Sequence, residues 1–149
     1  MHLFAATAFA VFVSTAGSAM ACSCLRAETA ESHLYSSNAA LVFKGRSAGT
    51  RSFRDGTAAT TFRVQEVLRG RAGRMVVIRH RIDEAACGLS FVPNQTALVI
   101  ADRGGPAGFD ERPGQRRAPP YPLRTSLCSR PQFSEAEYRR ALARRASSR

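Results

Sequence analysis

Apolar and polar residues alternate along several short segments of the chain, a period-two pattern that is typical of β-strands. The predicted strands are residues 39–46, 57–68, 74–82, 96–101 and 123–128. Residues 91–92 are predicted to lead into the fourth of these strands. In the second of these, the alternation predicts that Phe62 and Val64 share one face and that Val67 lies on the opposite face.

Turn residues separate the predicted strands. Asp55 and Gly56 form a pair that is typical of a tight hairpin between the first two strands. Residues 69–73 and 93–95 predict two further turns. Residues 103–122 are rich in glycine and proline and poor in apolar residues, so we expect a long loop there.

Helices are predicted on either side of the strands. Residues 28–37 predict a short helix before the first strand. Residues 134–145 predict a terminal helix, which begins with Ser134 and Glu137 in the spacing of a capping box. The fold class is therefore all-β. A five-stranded Greek-key barrel of the OB type, with one helix before it and one after it, is expected because closure removes exposed strand edges.

The first 21 residues have the features of a secretory signal peptide. Residues 1–21 contain no acidic residue, lysine or arginine, and they end in Ala19-Met20-Ala21, a small-x-small cleavage pattern. Residues 22–149 would then form one mature domain, secreted or periplasmic. Acylation of Cys22 to give a lipid anchor is the alternative, and we expect no transmembrane segment because the apolar run is too short.

Four cysteines remain in the mature domain, at positions 22, 24, 87 and 128. An even number in an exported chain predicts two disulfides, for which three pairings are possible. Cleavage before Cys22 would leave a free α-amine beside a disulfide. An amine and a carbonyl from one residue can together chelate a metal ion.

The chain is strongly basic, with 22 basic and 11 acidic residues and a formal net charge of +11. This charge favours anionic partners, and the clusters at residues 79–81 and 112–117 are the candidate sites. His33 and His80 are isolated, and we expect both to lie at the surface. The sequence contains none of the common catalytic motifs, so we expect neither enzymatic activity nor a cofactor.

The order of these segments resembles the netrin-like domain, and more narrowly the inhibitory domain of tissue inhibitors of metalloproteinases (TIMPs), including bacterial TIMP-like proteins. The resemblance lies in the N-terminal Cys-Ser-Cys and in the later Cys-Gly and Cys, together with the segments between them. Those segments are residues 38–45, 62–70, 98–101 and 123–128.

The resemblance implies the disulfides Cys22–Cys87 and Cys24–Cys128. It also implies that Cys22 chelates the catalytic zinc of a partner metalloproteinase through its amine and carbonyl, so that Cys22 contacts a metal only in the complex. Ser23 would enter the specificity pocket of that enzyme, and Cys24 and Leu25 would complete the wedge.

Two functions are therefore carried forward. The first is a secreted, monomeric metalloproteinase inhibitor that works through Cys22. The alternative is a non-inhibitory netrin-like module that binds anionic glycans or cell-envelope components through its basic surface. Nucleic acid is not an expected partner, because Phe53, Phe62, Phe91 and Tyr121 are scattered and offer no aromatic binding face.

Overall fold

The computed structural model describes residues 22–104 and 123–147. It contains four strands and two α-helices, together with 3₁₀ turns at Glu84–Ala86 and Leu127–Ser129. The strands and helices are α1 (Ala30–Ser36), β1 (Leu41–Ser52), β2 (Thr57–Arg69), β3 (Met75–Arg81), β4 (Thr96–Ala101) and α2 (Glu135–Ser147). The predicted signal peptide, residues 1–21, lies outside the described residues, as does the predicted loop from residue 105 onward. None of the described helices combines the length and hydrophobicity needed to cross a membrane.

The strands form one curled antiparallel sheet in the order β3-β2-β1-β4. The hairpin predicted at Asp55 and Gly56 is confirmed. Gly56 adopts a φ of 76°, and the Asp55 carboxylate accepts hydrogen bonds from the backbone and the hydroxyl of Thr57, at 3.0 and 2.6 Å. β1 continues to Ser52, beyond the predicted end, because its polar half pairs with the long β2.

A β-bulge in β2 overturns the predicted position of Val67. Lys44 pairs with Glu66 and Gly45 pairs with Val64, so the register skips Gln65. An extra residue in one strand reverses the alternation of faces beyond it. Val67 therefore packs against the same core cluster as Phe62 and Val64, and the prediction that it lies on the opposite face is wrong.

The predicted fifth strand, residues 123–128, is not a strand in the structure. Only its first residues reach the sheet, and the chain then turns into the 3₁₀ segment Leu127–Ser129. Arg79 of β3 exchanges backbone hydrogen bonds of 3.0 Å with Leu123 and Thr125. Asp102, directly after β4, exchanges two more with Arg124, at 2.9 and 3.0 Å. One short segment thus bonds to both edges of the curled sheet. Residues 91–92, which were predicted to lead into β4, also lie outside the sheet.

The core consists of two clusters on opposite faces of the sheet. Leu41 and Phe43 of β1 point into the inner cluster, and Val42 between them points toward the helices. The inner cluster consists of Leu41, Phe43, Phe62, Val76, Ile78, Val99 and Ala101. The outer cluster consists of Ala30, Leu34, Ala39, Val42, Ile100, Tyr138 and Ala141. The α-helices therefore pack on the outer face of the sheet, where they position the N-terminal residues.

The predicted start of the terminal helix is confirmed. The Glu137 carboxylate accepts hydrogen bonds from the backbone and hydroxyl of Ser134, at 2.8 and 2.6 Å. The Phe133 ring lies edge-on to Tyr138, with 6.0 Å between the centroids. These local contacts fix where α2 begins and so direct Tyr138 into the outer cluster.

His80 is buried, which corrects the expectation that it lies at the surface. Its side chain is 1% exposed, because the alternation of β3 that buries Val76 and Ile78 also buries position 80. Nε2 lies 2.8 Å from the Thr60 hydroxyl, and Nδ1 lies 3.0 Å from the carbonyl of Arg81. The predicted basic cluster at residues 79–81 is therefore not a free patch, since Arg79 is also paired with Asp55 at 2.6 Å.

Burial lowers the pKa of His80 below its usual value of 6.5. The unfolded chain therefore takes up this proton at a higher pH than the folded protein. Stability should fall as the pH drops from about 6.5 toward the lower folded pKa. We expect His80→Gln to reduce this pH dependence, as measured by urea unfolding between about pH 8 and pH 5. If the free energy of unfolding depends equally steeply on pH in the wild type and in the variant, the assignment of this pH dependence to His80 is wrong.

Candidate functional site

Residues 22–25, which we call the N-terminal ridge, are attached to the rest of the fold by two disulfides. Cys22 is bonded to Cys87 and Cys24 is bonded to Cys128. This is the pairing that the resemblance implies, one of the three that four cysteines allow. No free cysteine remains among the described residues.

The two disulfides lie side by side because the segments that anchor them are bonded to each other. The backbone N–H of Leu127 donates a hydrogen bond of 2.9 Å to the carbonyl of Cys87. The Sγ atom of Cys22 consequently lies 3.8 Å from that of Cys24 and 4.0 Å from that of Cys128. The ridge is therefore fixed at two points, Cys22 and Cys24, with one residue between them.

Glycine is required directly after Cys87. Cys87 itself adopts a left-handed φ of 61°, and the backbone N–H of Gly88 donates a hydrogen bond of 2.7 Å to Asp83. A Cβ atom at position 88 would lie only 2.5 Å from that carbonyl oxygen. The Cys-Gly pair in the sequence thus reflects a tight turn that presents Cys87 to Cys22.

The ridge directs its two non-cysteine side chains into solvent. Ser23 is exposed, Leu25 is 90% exposed, and the flanking Cys22 and Cys24 are half-buried. Half-buried and exposed residues alternate along the ridge because each disulfide holds one residue against the body of the fold. The ridge can therefore offer Ser23 and Leu25 to a partner without rearranging.

Gln132 holds the end of the ridge. Its side-chain oxygen accepts a hydrogen bond of 2.8 Å from the backbone of Ala27, and its amide nitrogen lies 3.5 Å from the carbonyl of Leu25. The backbone N–H of Gln132 in turn donates to the hydroxyl of Tyr138, at 3.0 Å. This residue thus connects the ridge to the buried Tyr138 of helix α2.

His33 is also buried, which corrects the second expectation of a surface histidine. It is 1% exposed, with Nδ1 2.6 Å from the Tyr138 hydroxyl and Nε2 3.0 Å from the carbonyl of Cys128. A carbonyl only accepts, so Nε2 carries the proton and Nδ1 accepts from the hydroxyl. Burial raises the pKa of Tyr138, which keeps this hydroxyl protonated.

The role of His33 was missed at the sequence level, although one signal was present. Ala30, His33 and Leu34 have the spacing of a single helix face, and all three are buried. A histidine on the apolar face of a helix needs polar partners inside the fold. Those partners, Tyr138 and Cys128, lie far away in the chain.

The cluster of sulfur atoms does not provide a metal site. The Sγ atoms of Cys22, Cys87 and Cys128 lie within 4.8 Å of one another, and this is the one such group among residues 22–104 and 123–147. All three are in disulfides, and a metal ion binds the thiolate. Any metal chemistry of the ridge would therefore involve its backbone atoms.

A cleft of about 420 Å³ borders the anchoring segments. Gly88 and Leu127, the neighbours of two anchoring cysteines, line it together with Phe91 and Val99. Its lining therefore combines apolar side chains with polar ones, such as Glu84 and Arg130, next to the attachment points of the ridge.

A comparison with protein-family models and with curated proteins finds no match to this chain. The interpretation of the site therefore rests on its own residues and geometry.

Proposed function

We propose that, after removal of residues 1–21, the protein is an exported, monomeric inhibitor of zinc metalloproteinases of the TIMP-like kind. The α-amine and the carbonyl of Cys22 would chelate the catalytic zinc of the partner enzyme. Ser23 would enter its specificity pocket, with Cys24 and Leu25 completing the contact surface.

The observation that carries the proposal is the construction of the N-terminal ridge. Two adjacent disulfides fix Cys22 and Cys24, and Ser23 and Leu25 project outward between and beyond them. A segment that is already ordered loses little conformational entropy when it docks. This arrangement suits a wedge that enters the cleft of an enzyme.

The chemistry requires a neutral amine and an open position on the metal. A catalytic zinc keeps one coordination position for water or substrate, and two donors from one residue can displace that water. An α-amine with a pKa of about 7.7–8 is partly neutral at physiological pH. Cys22 would therefore bind the enzyme's zinc without any other ligand from this chain.

The proposal includes a closed OB-type barrel as the supporting fold. The backbone bonds from residues 123–125 to both β3 and β4 support it, because they connect the two edges of the sheet. Export is supported by the apolar residues 1–21 and by the two disulfides, which persist in oxidising compartments. Intact mass spectrometry of the exported protein would distinguish a free Cys22 N-terminus from an acylated one.

The proposal is tested with three forms of the mature protein: one that begins at Cys22, one with an additional alanine before Cys22, and one with an acetylated α-amine. We expect only the first to inhibit zinc metalloproteinases in an assay of peptide cleavage, because both modifications convert the α-amine of Cys22 into an amide that no longer chelates. A serine protease serves as the control enzyme and should be unaffected by all three.

Equal disulfide content and equal thermal unfolding would show that the three forms share one fold. If the alanine-extended form inhibits as well as the unmodified form, chelation by Cys22 is wrong. If the unmodified form inhibits no member of a panel of zinc metalloproteinases, the inhibitor function itself is wrong.

A further inference from the structure

One face of the sheet carries two arginines directly opposite each other. Arg46 of β1 and Arg63 of β2 are cross-strand partners, so both side chains lie on the same face. Both are exposed, and neither forms a salt bridge with any residue that the structure describes. Like charges at such positions oppose strand pairing. The pair therefore favours a ligand that supplies negative charge at this place.

Nearby cations on this face are neutralised. The Nζ atom of Lys44, two residues before Arg46, lies 3.0 Å from the carboxylate of Glu135. Arg139 contacts the carboxylates of both Glu66 and Glu135, at 2.6 Å each. Those carboxylates are thus already engaged, and the positive charge at Arg46 and Arg63 is left uncompensated by them.

A surface cleft of about 480 Å³ lies at the two arginines. It is lined by Arg46, Ser47, Ala48, Arg63, Gln65 and Asn94. Among the residues that the structure describes, this lining holds two guanidinium groups and two amide side chains and includes neither a carboxylate nor an aromatic ring. Its composition matches an anion that carries additional hydrogen-bonding groups.

The cleft is held in place by backbone hydrogen bonds. Asn94 adopts a left-handed φ of 63°, and its N–H donates to the carbonyl of Ser47 at 3.0 Å. The N–H of Ser47 donates in return to the carbonyl of Gln95, at 3.0 Å. The Nε–H of Arg46 then donates to the carbonyl of Asn94 at 2.8 Å, which orients the guanidinium and leaves its two terminal nitrogens for a ligand.

The β-bulge in β2 supplies the remaining polar group. Gln65 is the residue that the pairing of β1 with β2 skips, and its exposed side chain lines the cleft two positions from Arg63. Bulges commonly re-aim a side chain at a functional position. Here the bulge places an amide beside the two guanidinium groups.

We propose that this cleft binds a sugar that carries a sulfate or phosphate ester. The two guanidinium groups hold the ester oxygens, since arginine pairs with such oxyanions through two parallel hydrogen bonds. Gln65 and Asn94 hydrogen-bond the sugar hydroxyls. The cleft is larger than a lone oxyanion requires, and none of its described lining residues offers an aromatic ring on which a nucleobase would stack. This inference stands apart from the inhibitor function, because the cleft shares no residue with the N-terminal ridge.

The proposal is tested by NMR titration of the protein with glucose 6-sulfate and glucose 6-phosphate, with neutral glucose as the control. We expect the side-chain amide signals of Gln65 and Asn94 to shift with either ester and not with glucose. Comparison of the two esters identifies which oxyanion the cleft prefers. Arg63→Gln should weaken ester binding about tenfold or more, because it removes a charge-assisted hydrogen bond.

Arg54→Gln is the matched control variant, since it removes the same charge from the hairpin turn, about 25 Å away along the strand. It should leave ester binding unchanged. Equal weakening by Arg54→Gln and Arg63→Gln would overturn the site in favour of a diffuse effect of net charge. Absence of binding, or equally tight binding of inorganic sulfate or phosphate alone, would overturn the assignment of a sugar ester.

Discussion

Replacing Cys24 and Cys128 together by alanine is expected to lower the free energy of unfolding by about 4 to 5 kcal/mol. This disulfide joins residues 104 positions apart, so the loop that it closes contains the whole sheet. Without the crosslink, the unfolded chain gains the conformational entropy of that loop, and the folded state becomes less favourable by comparison.

Guanidinium unfolding of the wild type and the variant measures this difference, and the slope of the transition reports whether the unfolded chain has expanded. The double variant Cys22→Ala with Cys87→Ala is the matched comparison. Its disulfide spans 65 positions, so its loss should be about 0.4 kcal/mol smaller by the same loop-length relation. A loss below about 1 kcal/mol in both variants would contradict loop closure as the source of stability.

Replacing Tyr138 by phenylalanine is expected to lower the free energy of unfolding by about 2 to 4 kcal/mol. The hydroxyl of Tyr138 is fully buried, donates to Nδ1 of His33 and accepts from the backbone of Gln132. Its removal leaves the buried Nδ1 atom of His33 and the half-buried N–H of Gln132 without this partner, and an unsatisfied polar group inside the fold is costly.

Urea unfolding measures the effect, and Tyr35→Phe is the control. Tyr35 lies on α1 and is 76% exposed, so the same chemical change should alter stability by less than about 0.5 kcal/mol there. Similar losses for the two variants would contradict the role assigned to the buried hydroxyl.

Loss of the Tyr138 hydroxyl should also weaken the attachment of the N-terminal ridge. Gln132 bonds both to Tyr138 and to the backbone of Ala27, so Tyr138→Phe should accelerate amide hydrogen exchange at Ala27. If that exchange is unchanged although stability falls, the ridge is held by the disulfides alone.

The sequence predicted the four strands of the sheet and both helices, with shifts at their ends. These elements depend on signals that lie within a few residues of one another: alternation, the hairpin residues Asp55 and Gly56, and the cap formed by Ser134 and Glu137. The prediction failed at residues 123–128, where the apolar pattern resembles a strand but the structure provides only a short bridge between two edges.

The disulfide pairing of the N-terminal ridge was predicted, but the contacts that support the ridge were not. The ridge and its disulfides follow from the Cys-Ser-Cys motif and the resemblance that it carries. The connection from His33 through Tyr138 to Gln132 did not follow, because His33 lies 105 positions from Tyr138 and Ala27 lies 105 positions from Gln132. The expectation that His80 lies at the surface was wrong because strand alternation buries it, and Arg79 beside it pairs with Asp55.

By itself, the sequence determined the four strands of the sheet, the two helices and which cysteines were available to crosslink them. These are properties of local residue order and composition. The tertiary structure decided which cysteines meet, that His33 and His80 lie inside, and that Arg46 faces Arg63 across a strand pair. The physical reason is that these outcomes depend on register, on a bulge and on contacts between distant segments, and no local pattern specifies them.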